Sequence, residues 1–129
     1  MRRRLPALGL LALALGLAAA PAGAQMFGPE YRACQQLGRD PQVLACLGQK
    51  TKAWEAKLAT ELRALPSRLD KDQRAPQAKA QQAWERYRDA QCAVHAARDG
   101  SIRSVHVAEC RRAMTEARVA EVMGLMREE

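Results

Sequence analysis

Chemistry in this 129-residue chain would have to come first from its four cysteines, Cys34, Cys46, Cys92 and Cys110. Two uses compete for them. Cys92-x2-His95 and His106-x3-Cys110 are spaced like the ligands of a closed zinc site, whereas thiols sent to an oxidising compartment pair as structural disulfides. Disulfides account for all four sulfurs, while a zinc site would leave Cys34 and Cys46 to pair alone. Cys92 and Cys110 flank 17 residues between two helices, so antiparallel packing brings them into bonding range. Cys34 and Cys46 then close 11 residues. On the chain-entropy argument each closure stabilises the fold by about 3 kcal/mol. We expect no metal and no cofactor.

Catalytic pairs are thin. Ser101 with His106 offers a nucleophile and a base, but no third group on a rigid strand orients them. Glu85 and Asp89 stand four apart, which places two acids on one helical face. Arg86 and Arg88 flank them, so the set reads as a solvated charged surface rather than an acid–base pair. A helical chain this short has little room for a substrate pocket, and we expect a non-enzymatic protein.

The elements that position these residues begin after a segment that does not belong to the fold. Arg2, Arg3 and Arg4 precede an apolar run from Ala7 to Ala20, and Ala22-Gly23-Ala24 supplies small residues for cleavage. This is the pattern of a secretory signal peptide over residues 1–24, and the run is shorter than the roughly 20 residues a spanning helix needs. Residues 25–129 are then one domain, expected in the periplasm and without a membrane span.

That domain reads as all-α, a helical hairpin plus a third helix stapled by two disulfides. From Asp40-Pro41, the apolar positions Leu44, Leu47, Thr51, Trp54, Leu58, Leu62 and Leu65 recur at three and four, a helical stripe that Pro66 ends. The polar run Ser67 to Arg74 reads as a turn. A second helix starts near Pro76 with Ala80, Ala83, Trp84, Tyr87, Gln91 and Val94 on its buried face, and Asp99-Gly100-Ser101 closes it. In the third, Val107, Cys110, Met114, Ala117 and Leu125 form the stripe, with Glu109–Arg112 and Arg112–Glu116 as exposed side-chain pairs. Residues 25–39 fit either a turn of helix or an extended lead-in.

Charge excludes one class of partner. Without Arg2, Arg3 and Arg4 the chain keeps 18 basic and 14 acidic residues, a net charge of +4, and these are interspersed rather than clustered. A nucleic-acid surface would need a basic stripe with stacking aromatics, so no nucleic-acid partner is expected.

The run Ala80-Gln81-Gln82-Ala83-Trp84-Glu85-Arg86-Tyr87-Arg88-Asp89-Ala90-Gln91-Cys92, followed by Gly100-Ser101 and by Cys110 with Thr115 and Arg118, resembles the LprI-like lysozyme-inhibitor N-terminal domain family. The resemblance extends from Cys34 to about Val122. In the first helix, where that family shows an Asp, a Leu-Asn pair and a Tyr, this chain carries Glu55, Leu58-Ala59 and Leu62. What the resemblance implies is a helical, disulfide-bearing envelope protein, with lysozyme inhibition attributed to the member that named the group. Within the motif, Trp84 and Tyr87 are expected in the core. Arg88 and Asp89 are expected to tie the second helix to its neighbours, with Arg118 reaching Asp89.

A protein partner, lysozyme by this resemblance, then has to be accommodated by a basic chain. Lysozymes of the common animal type are themselves basic, so the contact needs local charge complementarity. The alternative is an interaction module for another envelope protein. For either, the expected recognition surface is the loop Arg98, Asp99, Ser101, Ile102 and Arg103, because loops carry exposed apolar and charged groups that a helix stripe must bury.

Overall fold

The structure is a computed structural model that describes residues 26–127, so the export segment read at residues 1–24 lies outside the described residues. Four α-helices follow in order: α1 (Pro29–Gln35), α2 (Asp40–Ala64), α3 (Lys71–Ala96) and α4 (Arg103–Leu125), with a 3-10 turn at Leu65–Ser67. No strand occurs among the described residues. The all-α architecture stapled by two disulfides is therefore present, and the lead-in left open in the sequence is a helix of its own.

Local chemistry sets the boundaries. Pro29 opens α1 and Pro41 the first turn of α2, where a missing N–H costs nothing. Gly38 separates the two at φ 84°, a backbone region that favours glycine. Pro66 ends α2 as expected. The second long helix starts earlier than Pro76, at Lys71. Asp70 caps it, and a capping box links Asp70 with Gln73, satisfying the first free donors so that the helix forms before the proline and runs on through it.

α4 occupies the centre. α2 and α3 both pack along it and approach each other through side chains such as Glu55 and Arg88 rather than backbone, while α1 lies on α2. One apolar cluster joins Tyr31, Cys34, Val43, Leu47 and Val105. The other joins Leu58, Leu65, Val119 and Val122, with Trp54, Leu62 and Trp84 packed around it. Being central, α4 is buried on several sides, at Val105, Glu109, Cys110, Arg112, Ala113, Thr115, Val119 and Val122. The Glu109–Arg112 pair expected on the surface is therefore inside the protein, Glu109 at 0% and Arg112 at 1% exposure.

Both disulfides form in the expected pairing. Cys34 and Cys46 hold α1 against α2 with Cα atoms 5.6 Å apart, and Cys92 and Cys110 hold α3 against α4 at 5.5 Å. The two thiols that a zinc site would have used are bonded to each other. His95 and His106 instead meet edge to face, with ring centroids 6.2 Å apart.

Candidate functional site

The face that α3 turns to the core is set about one residue away from the stripe read in the sequence. Gln77, Gln81, Trp84, Arg88, Cys92 and His95 are buried or half-buried at spacings of four and three, whereas Ala80, Ala83, Tyr87, Gln91 and Val94 face solvent. Trp84 is thus correctly placed against the core, but Tyr87 is 58% exposed and Val94 62%. Cys92 sets this rotation, since its sulfur must point at α4, and residues three or four away from it follow. Tyr87→Ala is therefore expected to change stability by no more than about 0.5 kcal/mol, the range of surface substitutions, as thermal melting would register.

The register fixed by Cys92 with Cys110 also moves Arg118. It lies opposite Trp84, with its guanidinium 5.7 Å from the indole centroid, and its Nε donates to Gln81 Oε1 at 3.0 Å. Arg118 pairs with Glu121 at 2.9 Å. Asp89, one and a half turns further along α3, is met by Arg111 at 3.5 Å and by its neighbour Arg88 at 3.1 Å rather than by Arg118. Arg88 also reaches Glu55 of α2 at 3.7 Å. Arg88 and Asp89 therefore tie α3 to both neighbours, Arg88 to α2 and Asp89 to α4. Thr115 is buried, its hydroxyl donating to the Arg111 carbonyl at 2.7 Å.

The strongest polar construction, a buried charge cluster, was not legible as such in the sequence. Arg112 Nε and Nη2 donate to both Glu109 oxygens at 2.7 and 2.9 Å, a bidentate fork. Its Nη1 donates to Glu30 at 2.8 Å and to Glu116 at 2.7 Å. Glu30 also accepts from the Trp54 indole at 2.9 Å, and Glu109 from the Phe27 backbone N–H at 2.8 Å. Burial alone would push the Arg112 guanidinium down. Its hydrogen bonds to Glu109 and Glu116, the Glu109 charge and the bond to Glu30 outweigh it and hold the group above its ordinary value. With every partner engaged, this cluster ties α1, α2 and α4 together and offers no reactive group.

Two exposed features remain available for recognition. The first is the α3–α4 loop, where Arg98, Asp99, Ser101, Ile102 and Arg103 are all exposed, Ile102 at 45%. Gly100 makes the turn at φ 95°, and the Cys92–Cys110 bond clamps the hairpin beneath it. The second is the groove left where α2 and α3 straddle α4. One cavity of about 290 Å³ is lined by Leu62, Leu65, Pro66, Leu69, Gln77 and Gln81, among others. A neighbouring one of about 270 Å³ shares Leu62 and Gln81 with it and adds Glu55, Leu58, Trp84, Glu85, Arg88 and Asp89. Glu85 and Asp89, the carboxylates weighed as an acid pair, thus stand on the rim of this groove.

No helix among the described residues is long and apolar enough to cross a membrane. Comparison with curated proteins and with solved structures gives no match. The family described as lysozyme inhibitor LprI matches residues 32–122. That span runs from within α1 almost to the end of α4 and holds all four cysteines, the Trp84–Arg88 packing face and both exposed features. The chain belongs to the LprI lysozyme inhibitor family.

Proposed function

We propose that this chain is an exported, non-enzymatic protein of the cell envelope, placed in the periplasm, that binds and inhibits a lysozyme through its α3–α4 loop. The observation that carries this reading is the family match over residues 32–122. The loop supplies a physical route. Lysozymes cleave their substrate between two carboxyl groups, so the enzyme's surface, basic as a whole, is acidic in its cleft. Arg98 and Arg103 bring cationic groups to that cleft, and Ile102 adds an apolar anchor. The disulfide below the loop fixes the ends of the hairpin that carries it, which lowers the ordering cost of binding.

The test is titration of an animal-type lysozyme with residues 25–129, following cell-wall lysis. Inhibition near a one-to-one ratio is expected. Ile102→Asp with Arg103→Glu should keep the melting temperature, because both side chains are exposed, and should raise the inhibitory concentration at least tenfold. Wild-type protein that leaves lysis untouched would overturn the reading. An envelope protein recovered in its place would support the interaction-module alternative.

A further inference from the structure

The groove between α2 and α3 is the open side of the second apolar cluster, where Leu62, Leu69 and Trp84 are only partly covered. Its floor is apolar: Leu58, Leu62, Leu65, Pro66 and Leu69, with the Trp84 indole on one wall. Its rim at the Trp84 end carries three carboxylates, Glu55, Glu85 and Asp89, against the guanidinium of Arg88, which pairs with Glu55 and Asp89, while Arg74 lines the far end. Arg111 reaches Asp89 from outside the groove. Glu85 is engaged by the Gln81 amide at 3.2 Å. At the other end the Gln77 amide nitrogen is buried with no hydrogen-bond partner, although Gln77 lines the cavity. A buried amide donor without an acceptor is unfavourable unless something supplies one.

These three features select an occupant. An apolar floor takes an aliphatic or aromatic side chain, an acidic rim takes a lysine or arginine whose stem lies along the apolar wall, and an orphaned amide N–H takes a carbonyl. An acidic peptide or an anionic lipid surface would meet the carboxylates unfavourably. Residues 25–129 carry 18 basic and 14 acidic residues, a net charge of +4, so this rim is a local reversal of sign. It supplies the acidic contact patch that a basic partner needs.

We propose that the α2–α3 groove seats a basic surface segment of the same lysozyme whose cleft the α3–α4 loop enters, an apolar side chain lying between Leu62 and Leu69 and a cationic one at Glu55 and Glu85. This rests on the inhibitor reading. Reach permits it: Glu85 and Ala78, beside the two anchor points, lie 11 and 18 residues before Ala96 at the loop end of α3, about 17 and 27 Å along the helix. One interface of standard size, about 800 Å² per partner, spans those separations.

The experiment measures binding of an animal-type lysozyme by calorimetry at low and high salt, with lysis followed in parallel. Two variants of residues 25–129 are compared with the wild type: Glu55→Lys with Glu85→Lys, which reverses the rim, and Ala78→Phe, which fills the apolar cavity from an exposed position. Each should weaken binding at least tenfold, and the charge reversal should also flatten the salt dependence. Both should still inhibit fully at saturation, because the loop is intact. Wild-type affinity in both variants, with the wild type inhibiting, would overturn the groove and leave the inhibitor reading standing. No binding by the wild type would overturn both. Should the charge reversal fail to fold, Ala78→Phe decides between these outcomes.

Discussion

Arg112→Met is expected to destabilise the protein by about 3–5 kcal/mol, the cost of breaking a buried ion pair from one side. Glu109 is fully buried and would lose both bonds of its fork, keeping only the Phe27 backbone donor. Glu30 and Glu116 retain 29% and 40% side-chain exposure, so water compensates them in part. Chemical denaturation reads the effect. The double variant Arg112→Met with Glu109→Leu should recover much of the loss, since no unpaired charge is then left inside. If the double variant is less stable than the single one, the cluster stabilises the fold by more than mutual neutralisation.

Reduction is the second large effect. Two loops closed at sequence separations of 12 and 18 each stabilise by about 3 kcal/mol on the chain-entropy argument. In a domain whose total stability is of order 10 kcal/mol, opening both should lower the melting temperature by tens of degrees. Cys34, Cys92 and Cys110 are no more than 1% exposed, so reductant should act only slowly on the folded protein. Thiol titration of unreduced, denatured protein should find none reactive. Two or more reactive thiols would contradict the pairing.

Much of the architecture was legible because α2 obeys its own pattern. Leu47, Leu58 and Leu65 are buried, and Thr51, Trp54 and Leu62 are half-buried between them, as the three-and-four spacing requires. α3 was harder to read. Alanine carries too little side chain to mark a buried face, so Ala80 and Ala83 drew the stripe toward Tyr87 and Val94, whereas the sulfur of Cys92 had already fixed the rotation. A disulfide partner is a stronger orientation signal than a run of small apolar residues.

α4 was misjudged for a different reason. A Glu–Arg pair three apart looks the same on a solvated helix and on a buried one, and only the tertiary arrangement distinguishes them. The turn at Asp99-Gly100-Ser101 was legible from its turn chemistry. The groove was not, because its wall residues come from two helices that the sequence places as touching neighbours and the structure holds apart.

The central position of α4 also dictates the order in which this protein can become itself. α3 packs mainly on α4, so in a growing chain that has not yet released residues 103–125 it lacks its principal partner, and α2 has mainly α1 to pack against. Cys34 and Cys46, twelve residues apart, can find each other early and locally, whereas Cys92 must wait for Cys110. The nascent chain therefore stays open through most of its synthesis and collapses late, around its last helix. A truncation just before Arg103 would leave the disulfide-linked α1–α2 pair and an α3 without its main packing surface, rather than a smaller version of the same fold.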